Sequence, residues 1–158
     1  MVAPLNVRVY VACAAVLYLK FLAVTMIQGG KTFRSGGRPP EDNQLKLAKG
    51  NPKQNYGLNA DEKDEKVLKA RAVEHRWRRI VSNDLESLPF ALFIFAGGVL
   101  ANANETVFAG SMITYTVARV AHSIVYAKQL QPHRAIFWFI AILSILVGTG
   151  NAVVSAFI

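Results

Sequence analysis

Arg76-Trp77-Arg78-Arg79-Ile80-Val81-Ser82-Asn83-Asp84-Leu85-Glu86-Ser87-Leu88-Pro89-Phe90 runs from a cluster of charges and amides straight into the apolar residues 91–101. At about 100° per residue, Arg79, Ser82, Asn83 and Glu86 fall within about 100° of one another and form one polar stripe on a helix. Ionisable groups carried into a membrane helix are costly, and they mark a functional site by default. Pro89 lies inside this helix, where a kink is expected and where neighbouring helices can satisfy the freed carbonyl.

Three further windows are as apolar as this one. Spans are expected at about 9–28, 79–101, 107–126 and 135–158, each near the roughly 20 residues that cross a bilayer. The chain has 158 residues, 53% of them hydrophobic, and a formal net charge of +8. Its apolar residues come in blocks, which excludes an ordinary soluble core and predicts an all-α membrane protein: a four-transmembrane-helix bundle in one domain. The first window also resembles a signal peptide, but its apolar length exceeds a typical h-region and it reads as a retained span. Its Cys13 is the sole cysteine, so no intrachain disulfide is possible and a small buried apolar role is expected.

Basic residues set the orientation. The 29–78 loop holds Lys31, Arg34, Arg38, Lys46, Lys49, Lys53, Lys63, Lys66, Lys69, Arg71, Arg76 and Arg78, and the short connection before span four adds Lys128 and Arg134. The opposite side has Arg8 alone. The positive-inside rule therefore puts both loops in the cytosol and both termini outside. This accounts for the +8 without nucleic-acid binding, the more so because Glu41, Asp42, Asp61, Glu62, Asp64, Glu65 and Glu74 are interleaved.

Within the loop, Gly29-Gly30 is expected to end the first helix. Ser35-Gly-Gly-Arg-Pro-Pro40 and Gly50-Asn-Pro52 break the chain, and residues 60–74 read as a charge-laced helix feeding span two. Asn104-Glu-Thr106 matches a glycosylation acceptor but stands too close to the bilayer to be used. In span four, Ser144, Thr149, Asn151 and Ser155 with Gly148 and Gly150 read as helix-packing positions.

Depth brings the polar groups to one level. Lys20 lies about 12 Å inside the cytosolic end of span one, a depth at which burial against a partner is expected at least as much as snorkelling to the surface. Glu86 lies about 10 Å inside from Arg79, and Arg119 as far inside from Tyr126. Arg119, His122 and Tyr126 are spaced i, i+3, i+7 and share a face. Spans two and three run antiparallel, so Arg79, Arg119, Arg134 and Lys20 are set against Asp84 and Glu86, with Ser82, Asn83, His122 and Tyr126 as neutral partners. Glu86 is the expected counter-ion of Arg119. The cationic surplus suits a small anion held by guanidinium forks. An ion path is disfavoured, because the outer halves of spans two and three carry almost no charge.

Three patches resemble the MAPEG family, the membrane-associated proteins of eicosanoid and glutathione metabolism. They are Pro40-Glu41-Asp42, Arg76-x-Arg78-Arg79-x3-Asn83-Asp84-x-Glu86-x2-Pro89-Phe90, and Arg119-x2-His122-x3-Tyr126 followed by Gln131-Pro132-His133-Arg134-Ala135. The branch most resembled is that of microsomal glutathione S-transferase 1 and microsomal prostaglandin E synthase 1, and Gln-Pro-x-Arg-Ala leans toward the transferase. His75 and Val81 stand where the family has a glutamate and a histidine, and Ser82 where the prostaglandin synthase has an arginine.

The resemblance implies a homotrimer of four-helix bundles with glutathione bound between subunits on the cytosolic side. Lys31, Arg79, Ser82, Asn83, Glu86, His122, Tyr126 and Arg134 would bind it, Arg134 would stabilise its thiolate, and Asp42 would orient it. Implied too are a lipophilic electrophile as second substrate, peroxidase activity toward lipid hydroperoxides, no metal, and residence in the endoplasmic reticulum or the mitochondrial outer membrane. Prostaglandin E synthesis and a non-catalytic lipid-binding scaffold are the alternatives within the family.

Overall fold

A computed structural model describes residues 2–58 and 64–158. Four helices dominate it: α1 (Leu5–Arg34), α2 (Glu65–Leu100), α3 (Glu105–Ala127) and α4 (His133–Phe157). No strand occurs among the described residues, as the all-α reading requires. α1, α2 and α4 are long and apolar enough to cross a membrane. α3 has 23 residues, enough to span, but is not among the helices that meet the apolar criterion. The physical reason is its buried polar face: Ser111, Tyr115, Thr116, Arg119, His122 and Ser123 dilute its hydropathy while pointing into protein.

Two compact units make up the chain, one built from the residues up to Phe21 with Asn83–Ile158, the other from Leu22–Ser82. The first is a bundle whose core draws on all four helices: Cys13 and Leu17, then Leu88, Ala91 and Phe95, then Phe108, Met112, Tyr115 and Ala118, then Ala141. On α2 the buried positions Asp84, Leu88, Ala91 and Phe95 recur at three- and four-residue steps, the spacing of one helix face. Phe95 sits at the centre, edge-on to Phe108 at 5.7 Å and tilted against Tyr115 at 6.0 Å. Asn104 begins α3 by accepting a hydrogen bond from the Val107 backbone N–H at 3.2 Å, so the acceptor asparagine acts here as a helix cap. α2 runs on through Pro89.

The second unit is held by polar contacts. Gln54 is fully buried; its amide donates to the Phe33 and Pro52 carbonyls at 2.9 and 2.7 Å and accepts from the Arg38 N–H at 3.2 Å. Asn43 exchanges two 2.8 Å hydrogen bonds with the Gln54 backbone. Glu74, also buried, takes the Arg78 guanidinium at 2.7 Å and the Thr32 hydroxyl at 3.5 Å. Asp64 caps α2 by accepting from the Lys66 N–H at 2.8 Å. The helix expected over residues 60–74 is thus present from Glu65 onward, and its first part lies outside the described residues.

Gly29-Gly30 does not end α1, which continues to Arg34. Glycine in a helix costs about 1 kcal/mol relative to alanine but does not stop it. The stop comes at Gly36, whose φ of +72° only glycine adopts without strain. The Gly37 and Gly36 N–H groups reach back to the Thr32 and Phe33 carbonyls, a Schellman ending.

Of the two glycines expected to pack in span four, only Gly148 does so. A Cβ there would stand 2.7 Å from the pinned Phe95 ring, whereas one at Gly150 meets nothing within 4 Å. Gly148→Ala is therefore expected to lower stability in thermal unfolding by about 1–3 kcal/mol. Gly150→Ala is expected to leave stability unchanged or to raise it by up to about 1 kcal/mol.

Candidate functional site

The Asp84 side chain is fully buried in the bundle unit. Three helices supply its surroundings: Lys20 of α1 pairs with both of its oxygens, and Arg119 of α3 donates from Nη2 to Oδ1 at 2.7 Å. The side chains of Lys20, Asp84 and Arg119 are 9%, 0% and 2% exposed. The same Arg119 nitrogen donates to the Asn83 backbone carbonyl at 2.8 Å. Of the two readings of Lys20, snorkelling and burial against a partner, the second is the one found. The expected pairing of Arg119 with Glu86 is not found. Asp84 lies in the apolar register of α2, four residues before Leu88, whereas Glu86, two residues on, is turned through about 200° and is exposed.

Two cations on one carboxylate leave the cluster one positive charge in excess. Arg119 Nε and, one turn along α3, His122 Nδ1 are buried without a hydrogen-bond partner among the described residues. Further along the same face the His122 ring meets Tyr126 edge-on at 5.7 Å. The Arg134 guanidinium lies over the Tyr126 ring at 4.6 Å, a cation–π contact that fixes its plane. Gln131, with its amide turned so that the carbonyl oxygen faces Arg134, accepts from Nη2 at 2.5 Å and from Nε at 3.1 Å. His122, Tyr126 and Arg134 thus form one contiguous row. Asn83 is half-buried, and Glu86 forms no ion pair among the described residues.

Also in this unit is an apolar cleft of about 370 Å³ between α1 and α2, lined by Tyr10, Leu17, Phe21, Leu88, Pro89 and Leu92 among others, with Asp84 at its polar end. The Ser87 and Tyr115 hydroxyls, 2.9 Å apart, satisfy each other.

Lys31, Asp42, Arg79 and Ser82 belong to the second unit. Asp42 accepts from Arg38 Nε at 2.7 Å, and Arg38 in turn covers the Phe33 ring at 5.2 Å. Lys31 and Ser82 are half-buried, and Arg79 is exposed. The residue that sequence reasoning under-rated is Asp84. Its signal was available: it falls in step with Ile80, Leu88, Ala91 and Phe95 on the buried face of α2.

Among known families, the model of the MAPEG family matches residues 8–154. No curated protein matches the chain by direct sequence comparison.

Removing the shared carboxylate strands two buried cations, so Asp84→Ala is expected to cost about 3–5 kcal/mol in thermal unfolding. Lys20→Met leaves the neutral Asp84–Arg119 pair and is expected to cost no more than about 1 kcal/mol. Equal losses in the two variants would show that Asp84 is not the hub.

Proposed function

The chain belongs to the MAPEG family, and from that premise we propose that it is a membrane glutathione transferase, which activates the glutathione thiolate for attack on lipophilic electrophiles. The observation that carries this reading is the row of His122, Tyr126 and Arg134, in which a guanidinium is held in a fixed plane against an aromatic ring. A free thiol titrates near about 8.5, and a cation beside it lowers that value. Each unit of lowering corresponds to about 1.4 kcal/mol, within reach of one well-placed guanidinium. Arg134 is the group proposed to stabilise the thiolate, with Asp42 as its orienting acid by family motif.

Asn83, Glu86, His122 and Tyr126 are proposed to bind the tripeptide, joined by Lys31, Arg79 and Ser82 through the same motifs. Glu86 supports a site closed by neighbouring copies. An exposed carboxylate on a membrane helix is costly, so a partner subunit and the ammonium of glutathione are its natural cover. A homotrimer is the assembly proposed. The basic loops favour a cytosolic catalytic face, and the endoplasmic reticulum is the proposed location.

In the reaction the thiolate sulfur bonds to the electrophilic carbon while the leaving group departs with its electron pair. With a chlorinated aromatic, that group is chloride. Toward a lipid hydroperoxide, two glutathiones are oxidised to the disulfide as the hydroperoxide is reduced to alcohol and water. The apolar cleft in the bundle unit offers molecules of this kind a place. Gln131-Pro132 ahead of Arg134-Ala135 favours the transferase over prostaglandin E synthesis.

The test is conjugation of a chlorinated nitroaromatic by the purified full chain, with thiolate formation followed by ultraviolet absorbance. Wild-type protein is expected to form thiolate at neutral pH. In Arg134→Ala the rise of rate with pH is expected to move up toward about 8.5, with a loss of at least about tenfold at pH 7. An unchanged pH profile would remove Arg134 from this role. Absence of glutathione binding by calorimetry would overturn the transferase reading and leave the scaffold.

A further inference from the structure

In the second unit, the last turn of α1 and the first turns of α2 enclose a cleft of about 230 Å³ lined by Lys31, Arg34, Lys69, Ala70 and Val73. Its three polar lining residues are all cations. Lys31 and Arg34 form no ion pair among the described residues. Lys69 pairs with Glu65 at 2.7 Å, but both side chains are largely exposed, at 74% and 80%, so water screens the pair and a better anion can replace it. Glu74, the next carboxylate along α2, is buried and already holds Arg78 and Thr32. Among the described residues the cleft therefore has positive charge in surplus, with an apolar floor in Ala70 and Val73.

Position narrows the ligand. Lys31 and Arg34 stand in the last turn of a helix long and apolar enough to cross a bilayer, on the side that the distribution of basic residues assigns to the cytosol. Basic groups just cytosolic of a membrane helix face the anionic headgroups of that leaflet. Several cations converging from two helices suit a phosphate, whose oxygens accept from several donors at once.

We propose that this cleft binds the phosphate of an anionic phospholipid of the cytosolic leaflet. The acyl chains lie along α1, and the headgroup phosphate bridges Arg34 and Lys69 across the Ala70–Val73 floor. Lys31 is shared with the residues assigned to glutathione by motif, so the test is built on the other two cations.

The full chain in neutral detergent is titrated with dioctanoyl phosphatidic acid, dioctanoyl phosphatidylcholine and inorganic phosphate, and glutathione affinity is measured in parallel. Phosphatidic acid is expected to bind at least about fivefold more tightly than phosphatidylcholine, with the advantage shrinking as salt is added. Arg34→Gln/Lys69→Gln is expected to abolish the preference, and Arg34→Lys/Lys69→Arg, which keeps the charges, to retain it. Glutathione affinity is expected to be unaltered in both.

Equal binding of the two lipids, or a preference that survives in the glutamine variant, overturns the proposal. Inorganic phosphate binding as tightly as phosphatidic acid makes the ligand a free anion and overturns the lipid. Competition between glutathione and phosphatidic acid assigns the cleft to the thiol site and likewise overturns it. Failure of glutathione to bind at all, with the lipid preference intact, sinks only the transferase reading.

Discussion

A carboxylate in a membrane bundle must be neutralised, and Asp84 is neutralised twice. Lys20 reaches it from α1 and Arg119 from α3, so one acidic side chain joins three helices at one depth. Polar contacts of this kind matter here because between helices in lipid the hydrophobic driving force is weak and packing and polar contacts take its place. The arrangement also sets register. Sliding α1 or α3 by a turn along α2 would leave a cation without its counter-ion. Through Arg119 it also grips the Asn83 carbonyl, and with it the backbone of the polar stripe on α2.

The cluster is not balanced. Two cations share one carboxylate, and the row His122, Tyr126, Arg134 continues from Arg119 along the same face of α3 and onto the start of α4. Cationic side chains therefore recur from the bundle interior, at Arg119, to the start of α4, at Arg134. α3 lacks the unbroken apolar stretch of the other three helices, because Ser111, Thr116, Arg119, His122 and Ser123, which interrupt it, are buried in the interior. The second unit uses different physics. It has little apolar core, and its loop is held by the buried amide of Gln54 and the paired Asn43, which satisfy backbone groups that no regular structure would otherwise pair.

The helices were legible in the sequence because blocks of apolar residues on the scale of a bilayer admit one backbone solution, in which every amide is satisfied within the segment. Their ends were less so. Gly29-Gly30 looked like a stop, but φ decides where an α-helix closes, and only Gly36 takes the left-handed value with its N–H turned back on the last turn. Gly148 and Gly150 were equivalent on paper. They differ because one faces the Phe95 ring and the other faces outward, a matter of which side of α4 meets α2.

For the site, helical spacing alone placed Arg119, His122 and Tyr126 on one face, while depth left Lys20 between snorkelling and burial against a partner. Charge types and periodicity are local properties, and the chain states them openly. What periodicity could not choose was the counter-ion. Asp84 and Glu86 are two residues apart and equally acidic, and only the packing of α1 and α3 against one face of α2 made the first a buried hub and left the second exposed. Sequence determined which groups carry charge and how deep they lie. Tertiary structure decided which of them meet, because pairing in a low-dielectric interior is set by the faces that helices turn toward one another.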